Sequence, residues 1–336
     1  GRRAPRGTMR GPATFLALAA LLAVTAALGV FLGGSALPAR DIVDALLHPG
    51  GDGMAQTVVW QLRIPRVLRA LVVGSSLAGC GVVFQAVLRN PLAEPYTLGV
   101  SAGGALGAAI AIMAGLSGIP MVALCFAGCF LSISAVLAMS TFRDFSTSTI
   151  ILSGVVLSFL LSSVIMFIFS VASSREVHAS VLWLMGSLGG TDALSLPALL
   201  AAMLPLLFGL LALARDMNLI SLGDEKAHLL GLSPGALKIL LLGLASLVTG
   251  LCVAVAGIIG FVGLIVPHAM RPMAGADHQR LMPAAMLAGG VFLLLCDTLA
   301  QVVLRPYELP VGVITGIAGG VFFLAYLLRS SPPEVI

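Results

Sequence analysis

The sequence predicts an all-α polytopic membrane protein with about ten spanning helices in a single domain, and three observations carry that prediction. The chain is 59% hydrophobic and only 10% charged, with a mean hydropathy of +1.10. A soluble domain carries about 25% charge. The charges are spaced so that long apolar runs lie between them. None falls between Arg10 and Arg40, Arg69 and Arg89, Glu94 and Arg143, Asp144 and Arg175, Asp192 and Arg215, Lys238 and Arg271, Arg280 and Asp297, or Glu308 and Arg329. Backbone polar groups must also be satisfied internally in lipid, so runs this long are read as helices.

A spanning helix takes roughly 20 apolar residues. Laid on the charge-free runs, that length predicts spans at 13–34, 67–88, 96–115, 120–141, 147–171, 194–214, 235–256, 258–272, 282–304 and 309–328. The eighth is short and Gly-rich. The domain is 13–329, with a cytoplasmic segment 1–12 before it and a tail 330–336 after it. Arg2, Arg3, Arg6 and Arg10 precede the first span. A signal peptide also starts basic, but this apolar run exceeds a usual h-region and no small-residue cleavage site ends it. It is read as a retained helix, with Met9 as initiator and residues 1–8 set aside as an added leader or upstream start.

A cytoplasmic N-terminus and ten spans put both termini inside. The inside then holds Arg10, Arg89, Arg143, Arg215, Lys226, Lys238, Arg271, Arg280 and Arg329; the outside holds Arg40, Arg63, Arg66, Arg69, Arg175 and Arg305. That is a weak positive-inside bias, and the outside excess asks for its own explanation. The outer loop Gly34–Leu62 is expected to lack a core and ends in "RIPR", Arg63–Arg66. Arginines at a span end often snorkel to headgroups. Here Pro65 is expected to fix the start of the span and leave Arg63 and Arg66 flanking it for acidic groups on a partner.

Between the second and third spans lies a polar elbow, "LRNPLAEPYTLGVSAGGALGA", broken by Pro91 and Pro95 and followed by Gly99, Gly103 and Gly107. Four-residue glycine spacing lets helices approach closely in lipid, and Gly312, Gly316 and Gly320 repeat it. Pro65, Leu68, Arg69, Leu71, Gly74 and Gly81 recur as Pro234, Leu237, Lys238, Leu240, Gly243 and Gly250. This pattern fits an inverted repeat of helices 2–5 and 7–10; chance matches among common residues are the alternative.

One loop, Arg215–Pro234, is long and intracellular. Ser221 with Asp224 has capping-box spacing, Asp224–Leu230 spans two turns, Gly231 closes them in a left-handed conformation, and Ser233 with Pro234 starts the next helix. So short a helix is not stable alone, so a docking helix is favoured over a plain surface helix.

Catalytic patterns are missing. No phosphate loop precedes Lys226 or Lys238, and Ser101 sits in no nucleophile elbow. His178, His228, His268 and His278 lie apart without metal spacing, and Cys80, Cys125, Cys129, Cys252 and Cys296 read as packing residues. The spans hold almost no ionisable group besides Asp297, which disfavours ion coupling.

On "RIPR", "LVVGSSLAGCGVVFQAVLRNPLAEPYTLGVSAGGALGA", "FSTSTIILSGVVLSF", "VLWLMGSLGG", "LISLGDEKAHLLGL", "GFVGLIVPHAMRPMAGADHQRLMP" and "ELPVGVITGIAGG", the chain resembles the FecCD-type permease subunits of bacterial importers for iron-siderophore complexes, haem and vitamin B12, the type II importers. The resemblance implies a homodimer in the inner membrane around a central pathway, two ATPase subunits beneath and a periplasmic binding protein above. It implies no cofactor on this chain, with ATP and Mg on the ATPase, and no nucleic-acid partner. The chain would be a translocation subunit and not an enzyme.

By the same resemblance, Gly223, Asp224, Glu225, Lys226, Ala227, His228, Leu229 and Leu230 form a coupling helix to the ATPase. Arg63 and Arg66 meet the binding protein. In the vitamin B12 permease a third such arginine lies in the ninth helix; Gln301 holds that place here, with Arg305 one turn later as its substitute. Asn90 and Leu92, with Thr147 and Ser148, match the residues that close the pathway on the cytoplasmic side, and helices five and ten line it. Alternating access driven by ATP would move the metal chelate inward. Arg175 is a candidate contact for a carboxylated cargo, the alternative being a rim charge paired with Glu176. An ion-coupled carrier or a membrane scaffold are the competing functional classes.

Overall fold

A computed structural model describes residues 11–51, 53–142, 145–189 and 194–329. Most of the expected N-terminal segment, the tail 330–336, Arg143, Asp144 and Asp192 lie outside the described residues. The described chain is helical without strands. Its α-helices are α1 (Gly11–Phe31), α2 (Ala39–Leu47), α3 (Met54–Thr57), α4 (Ile64–Leu88), α5 (Val100–Met113), α6 (Ile119–Thr141), α7 (Thr147–Val171), α8 (Ser174–Leu184), α9 (Leu196–Ala212), α10 (Ala214–Ile220), α11 (Asp224–Leu229), α12 (Pro234–Ala256), α13 (Val262–Ala274), α14 (His278–Val302) and α15 (Val311–Arg329).

Each of the ten expected spans contains a helix. Among the described residues six are long and apolar enough to cross a membrane alone, and α9 with α10, bent by 48°, makes a seventh. The helices α5 and α15 are apolar but shorter over their described length, and α13 carries Pro267 and Pro272 inside it. The molecule is a polytopic membrane protein.

Burial separates a spine from a periphery. The apolar windows of α4, α12 and α14 are 83%, 67% and 61% buried, against 17% for α7 and 22% for α1. Small residues build the spine. A Cβ on Gly74 would overlap the Gly289 carbonyl, and Gly79 faces Met286 and Met282, so α4 and α14 run antiparallel at close range. The same device joins α5 to α6: Gly103 meets the backbone of Gly128, and Gly107 that of Leu124. Gly99 extends that seam by one more turn, its carbonyl accepting from the Ser132 hydroxyl of α6 at 2.8 Å. It sits at φ +78 and N-caps α5. The second expected seam changes more. Gly312 abuts the carbonyls of Met185 and Ile258 and Gly319 abuts Phe261, whereas Gly316 and Gly320 meet nothing within 4 Å.

Three connections differ from expectation. The loop Gly34–Leu62 does have a small core, Ile42, Ala45 and Val59, because α2 is amphipathic, burying Ile42 and Ala45. Pro65 does not begin its helix. A π-turn at Val58–Arg63 runs straight into α4, widening the backbone where the proline ring would otherwise clash with the preceding turn. The segment after α7 forms α8, opened by a capping box in which Ser173 accepts from the Glu176 N–H and Glu176 accepts from the Ser173 N–H.

Candidate functional site

Polar side chains concentrate at two opposite ends of the antiparallel α4–α14 pair. At the Arg66 end, the Arg66 guanidinium holds Asp297 with Nε–Oδ2 at 2.9 Å and Nη2–Oδ1 at 3.0 Å, and Nη1 holds Glu308 at 2.7 Å. The Asp297 side chain is 1% exposed and that of Glu308 is 44% exposed. Gln301 donates to Asp297 at 2.8 Å and accepts from the Gly34 N–H. A polar cavity of about 220 Å³ opens here, lined in part by Arg63, Arg66, Gln301 and Glu308.

This geometry corrects the picture of free rim arginines. Arg63 is 5% exposed and donates to the carbonyls of Val30 (2.7 Å), Phe31 (3.2 Å) and Ser35 (2.6 Å), so it closes the orphan carbonyls at the end of α1. Arg305 donates to the Gly33 carbonyl at 2.6 Å. Arg66 alone joins a buried carboxylate to an exposed one. The sequence marked Asp297 as an isolated intramembrane acid, yet its partner lies 231 residues away, beyond any spacing rule.

At the opposite end, Arg89 ends α4 in a left-handed conformation with φ 49. Asn90 Oδ1 then accepts from the Leu92 N–H at 2.9 Å and Asn90 O from the Ala93 N–H at 3.1 Å, a side-chain-supported turn. Leu92 is 56% exposed. The elbow is fixed downstream by Tyr96, whose hydroxyl donates to the Ile259 carbonyl at 2.9 Å and accepts from its N–H. Across from it, Ser146 caps α7 by accepting from the Thr149 N–H. That places Thr147 and Ser148 in the first helical turn, Ser148 exposed and Thr147 half-buried. No hydrogen bond joins Asn90 or Leu92 to Thr147 or Ser148 among the described residues.

The helix α11 lies beside them. Its cap is Gly223 at φ +109, not the predicted Ser221–Asp224 box; Ser221 ends α10 and its hydroxyl donates to Met217 O. Gly231 is left-handed as expected, at φ +88. Ser233 makes no side-chain cap bond. Ala227 is fully buried, while Leu229 and Leu230 are 81% and 59% exposed. Asp224 accepts from Lys238 Nζ at 2.6 Å, and the same ammonium donates to the Phe145 carbonyl at 3.1 Å. Nearby, Asn218 donates to Asp277 Oδ1 at 2.8 Å and accepts from the His278 N–H. The hydrogen bond from Asn218 holds the Asp277 carboxyl below its ordinary value.

Arg175 is exposed in the first turn of α8. No ion pair joins Arg175 to Glu176 among the described residues; Glu176 accepts from the Ser173 N–H at 2.7 Å.

Comparison with known proteins gives one consistent answer. The FecCD transport family matches residues 21–329. The cobalamin import system permease protein BtuC of Halobacterium salinarum is 42% identical over 308 residues, covering 91% of this chain and 82% of that protein. The hemin transport system permease protein HmuU of Yersinia pestis is 38% identical, covering 81% and 83%. The solved structure of a metal-chelate type ABC transporter in an inward-facing conformation superposes with a TM-score of 0.83 at 31% identity, covering 95% of this chain and 100% of that one.

Proposed function

The chain belongs to the FecCD transport family, and from that premise we propose that it imports a metal chelate, of the cobalamin, haem or iron-chelate class, between two copies of itself. It is the translocation subunit of an ABC importer and not itself an enzyme. The cobalamin relative at 42% identity over most of the chain favours cobalamin among these cargoes. The finer topology we propose is ten crossings with both termini cytoplasmic. A binding protein meets the Arg66 end and a separate ATPase meets the α11 end.

The observation that carries the ATPase reading is α11. This six-residue helix is too short to stand alone. It is tied to the body through Asp224 and Ala227, and it turns Leu229 and Leu230 outward at 81% and 59% exposure. Bare leucines beyond the end of a span ask for a protein partner. Asn90 and Leu92 with Thr147 and Ser148 form the closing elements at this end, their short neutral groups parting without breaking an ion pair. On the other side Arg66 offers the edge now held by Glu308, and Arg175 remains open to a carboxylated cargo. Asp297 gives an ion-coupled carrier no support, because Arg66 neutralises it.

The test replaces Leu229 with Asp and measures co-purification of the ATPase and its stimulation by cobalamin, haem and ferric siderophores in the assembled complex. Loss of the ATPase is expected. Full retention would remove α11 from the interface, and stimulation by no metal chelate would overturn the cargo class.

A further inference from the structure

We propose that Lys238 is a positioning residue that ties α11 to both closing elements, so that movement of α11 is delivered to them together; this rests on the coupling-helix reading above. Lys238 lies in the second turn of α12 and is 1% exposed. A buried lysine is rare unless paired, and this one has two partners on two other segments. Nζ donates to Asp224 Oδ2 on α11 at 2.6 Å and to the carbonyl of Phe145 at 3.1 Å. Phe145 directly precedes Ser146, the cap of α7, and so stands two residues before Thr147–Ser148. On its other side, Asp224 Oδ1 lies 3.9 Å from Arg89 Nη2, and Arg89 directly precedes Asn90. One ammonium and one carboxylate therefore reach both closing elements.

The backbone around this junction is held away from its ordinary conformations. Among the described residues only three non-glycine residues have positive φ, and two are here: Arg89 at 49° and Phe145 at 52°. Such conformations persist only where the surroundings enforce them. Gly223, at φ +109, would bring a Cβ to 3.2 Å from Arg89 Nη1, so the glycine leaves room for the guanidinium to approach.

The junction is also incompletely closed. Asp224 Oδ1 is buried and accepts no hydrogen bond among the described residues, and 3.9 Å from Arg89 exceeds hydrogen-bond length. A small shift of α11 toward α4 closes that contact. The same shift draws on the Lys238 ammonium and through it on the Phe145 carbonyl at the start of α7. Because α12 belongs to the buried spine, Lys238 has a fixed base from which to act.

The test uses the full complex in proteoliposomes with its binding protein and compares Lys238→Met, Lys238→Arg and Asp224→Asn. The readout is substrate imported per ATP hydrolysed, alongside the amount of ATPase bound. A purely structural pair would change assembly or yield and leave that ratio alone. Lys238→Met is expected to keep the ATPase bound and hydrolysing while the ratio falls about tenfold, toward the lower end of the usual range for coupling between sites. Lys238→Arg is expected to restore part of the ratio, and Asp224→Asn to lower it as Lys238→Met does. If Lys238→Met does not accumulate, Asp224→Asn decides alone. A wild-type ratio in the decisive variant overturns the proposal, as does release of the ATPase by Asp224→Asn, which would place that carboxylate in the interface instead. The Leu229→Asp result separates the two readings: if it releases the ATPase while the Lys238 variants stay coupled, only this inference fails.

Discussion

Removing Asp297 tests whether the Arg66 cluster is structural cement or a free docking point. The carboxylate is 1% exposed and takes two guanidinium bonds at 2.9 and 3.0 Å. Breaking a buried pair from one side costs about 3–5 kcal/mol, because a buried charge is left without a partner. The low end applies to Asp297→Leu, since Arg66 keeps Glu308 at 2.7 Å and its own side chain is 13% exposed. With Arg66→Met also near the low end of that range, additive effects would sum to about 6 kcal/mol. The double variant removes both charges, and such replacements are often close to neutral; we expect it to cost no more than either single, about 3 kcal/mol. The resulting interaction energy, about 3 kcal/mol, is at the top of the range for contacting residues. Denaturant unfolding in mild detergent, followed by tryptophan fluorescence, reads it out. Trp60 is a suitable reporter, as its indole donates to Ala45 O within the same end of the molecule. A double variant that loses the sum of the two singles would refute the reasoning.

Glu308→Gln leaves the buried pair intact and releases only the exposed edge of Arg66. An exposed pair is worth about 0.2–1 kcal/mol, so the binding protein is expected to bind up to about fivefold tighter by calorimetry; weaker binding would mean that Glu308 itself is the docking group. Gly103→Ala forces a Cβ into the Gly128 backbone and is expected to cost about 1–3 kcal/mol by unfolding, whereas Gly316→Ala, with open space around it, stays within about 0.5 kcal/mol; equal effects would refute the close α5–α6 contact. Asp277→Ala removes the cap of α14 and is expected to cost about 1 kcal/mol. Because the folded Asp277 carboxyl is held below its ordinary 3.8, its contribution is complete above that pH and disappears as pH falls through the lower folded value. A wild-type difference that persisted well below that value, in a pH series of unfolding midpoints, would contradict this.

The apolar runs alone located every long helix, because lipid leaves the backbone one choice and charge marks where it ends. Shorter elements escaped. The helices α2, α8 and α10 are brief and partly polar, and none of them was expected. At the sites, local punctuation was legible: Pro91 and Pro95 in the elbow, Gly231 as a left-handed stop, Pro234 at a helix start. The ionic partners were not. Arg66 finds Asp297 231 residues away, by an antiparallel packing that no sequence period encodes, and Lys238 likewise reaches the Phe145 carbonyl through tertiary packing. The same packing turned Arg63 inward, where a rim position had been expected from its place beside Pro65.

The uneven burial of the helices bears on how such a protein can change over generations. Leu152, Val156, Phe159 and Phe167 of α7 are each more than half exposed and carry little packing duty within their own chain. Substitutions there change the exposed face of the chain at little cost to its own folding, whereas substitutions on the α4–α12–α14 spine meet closely packed neighbours. A lineage can thus change the face that α7 presents while its scaffold stays constant.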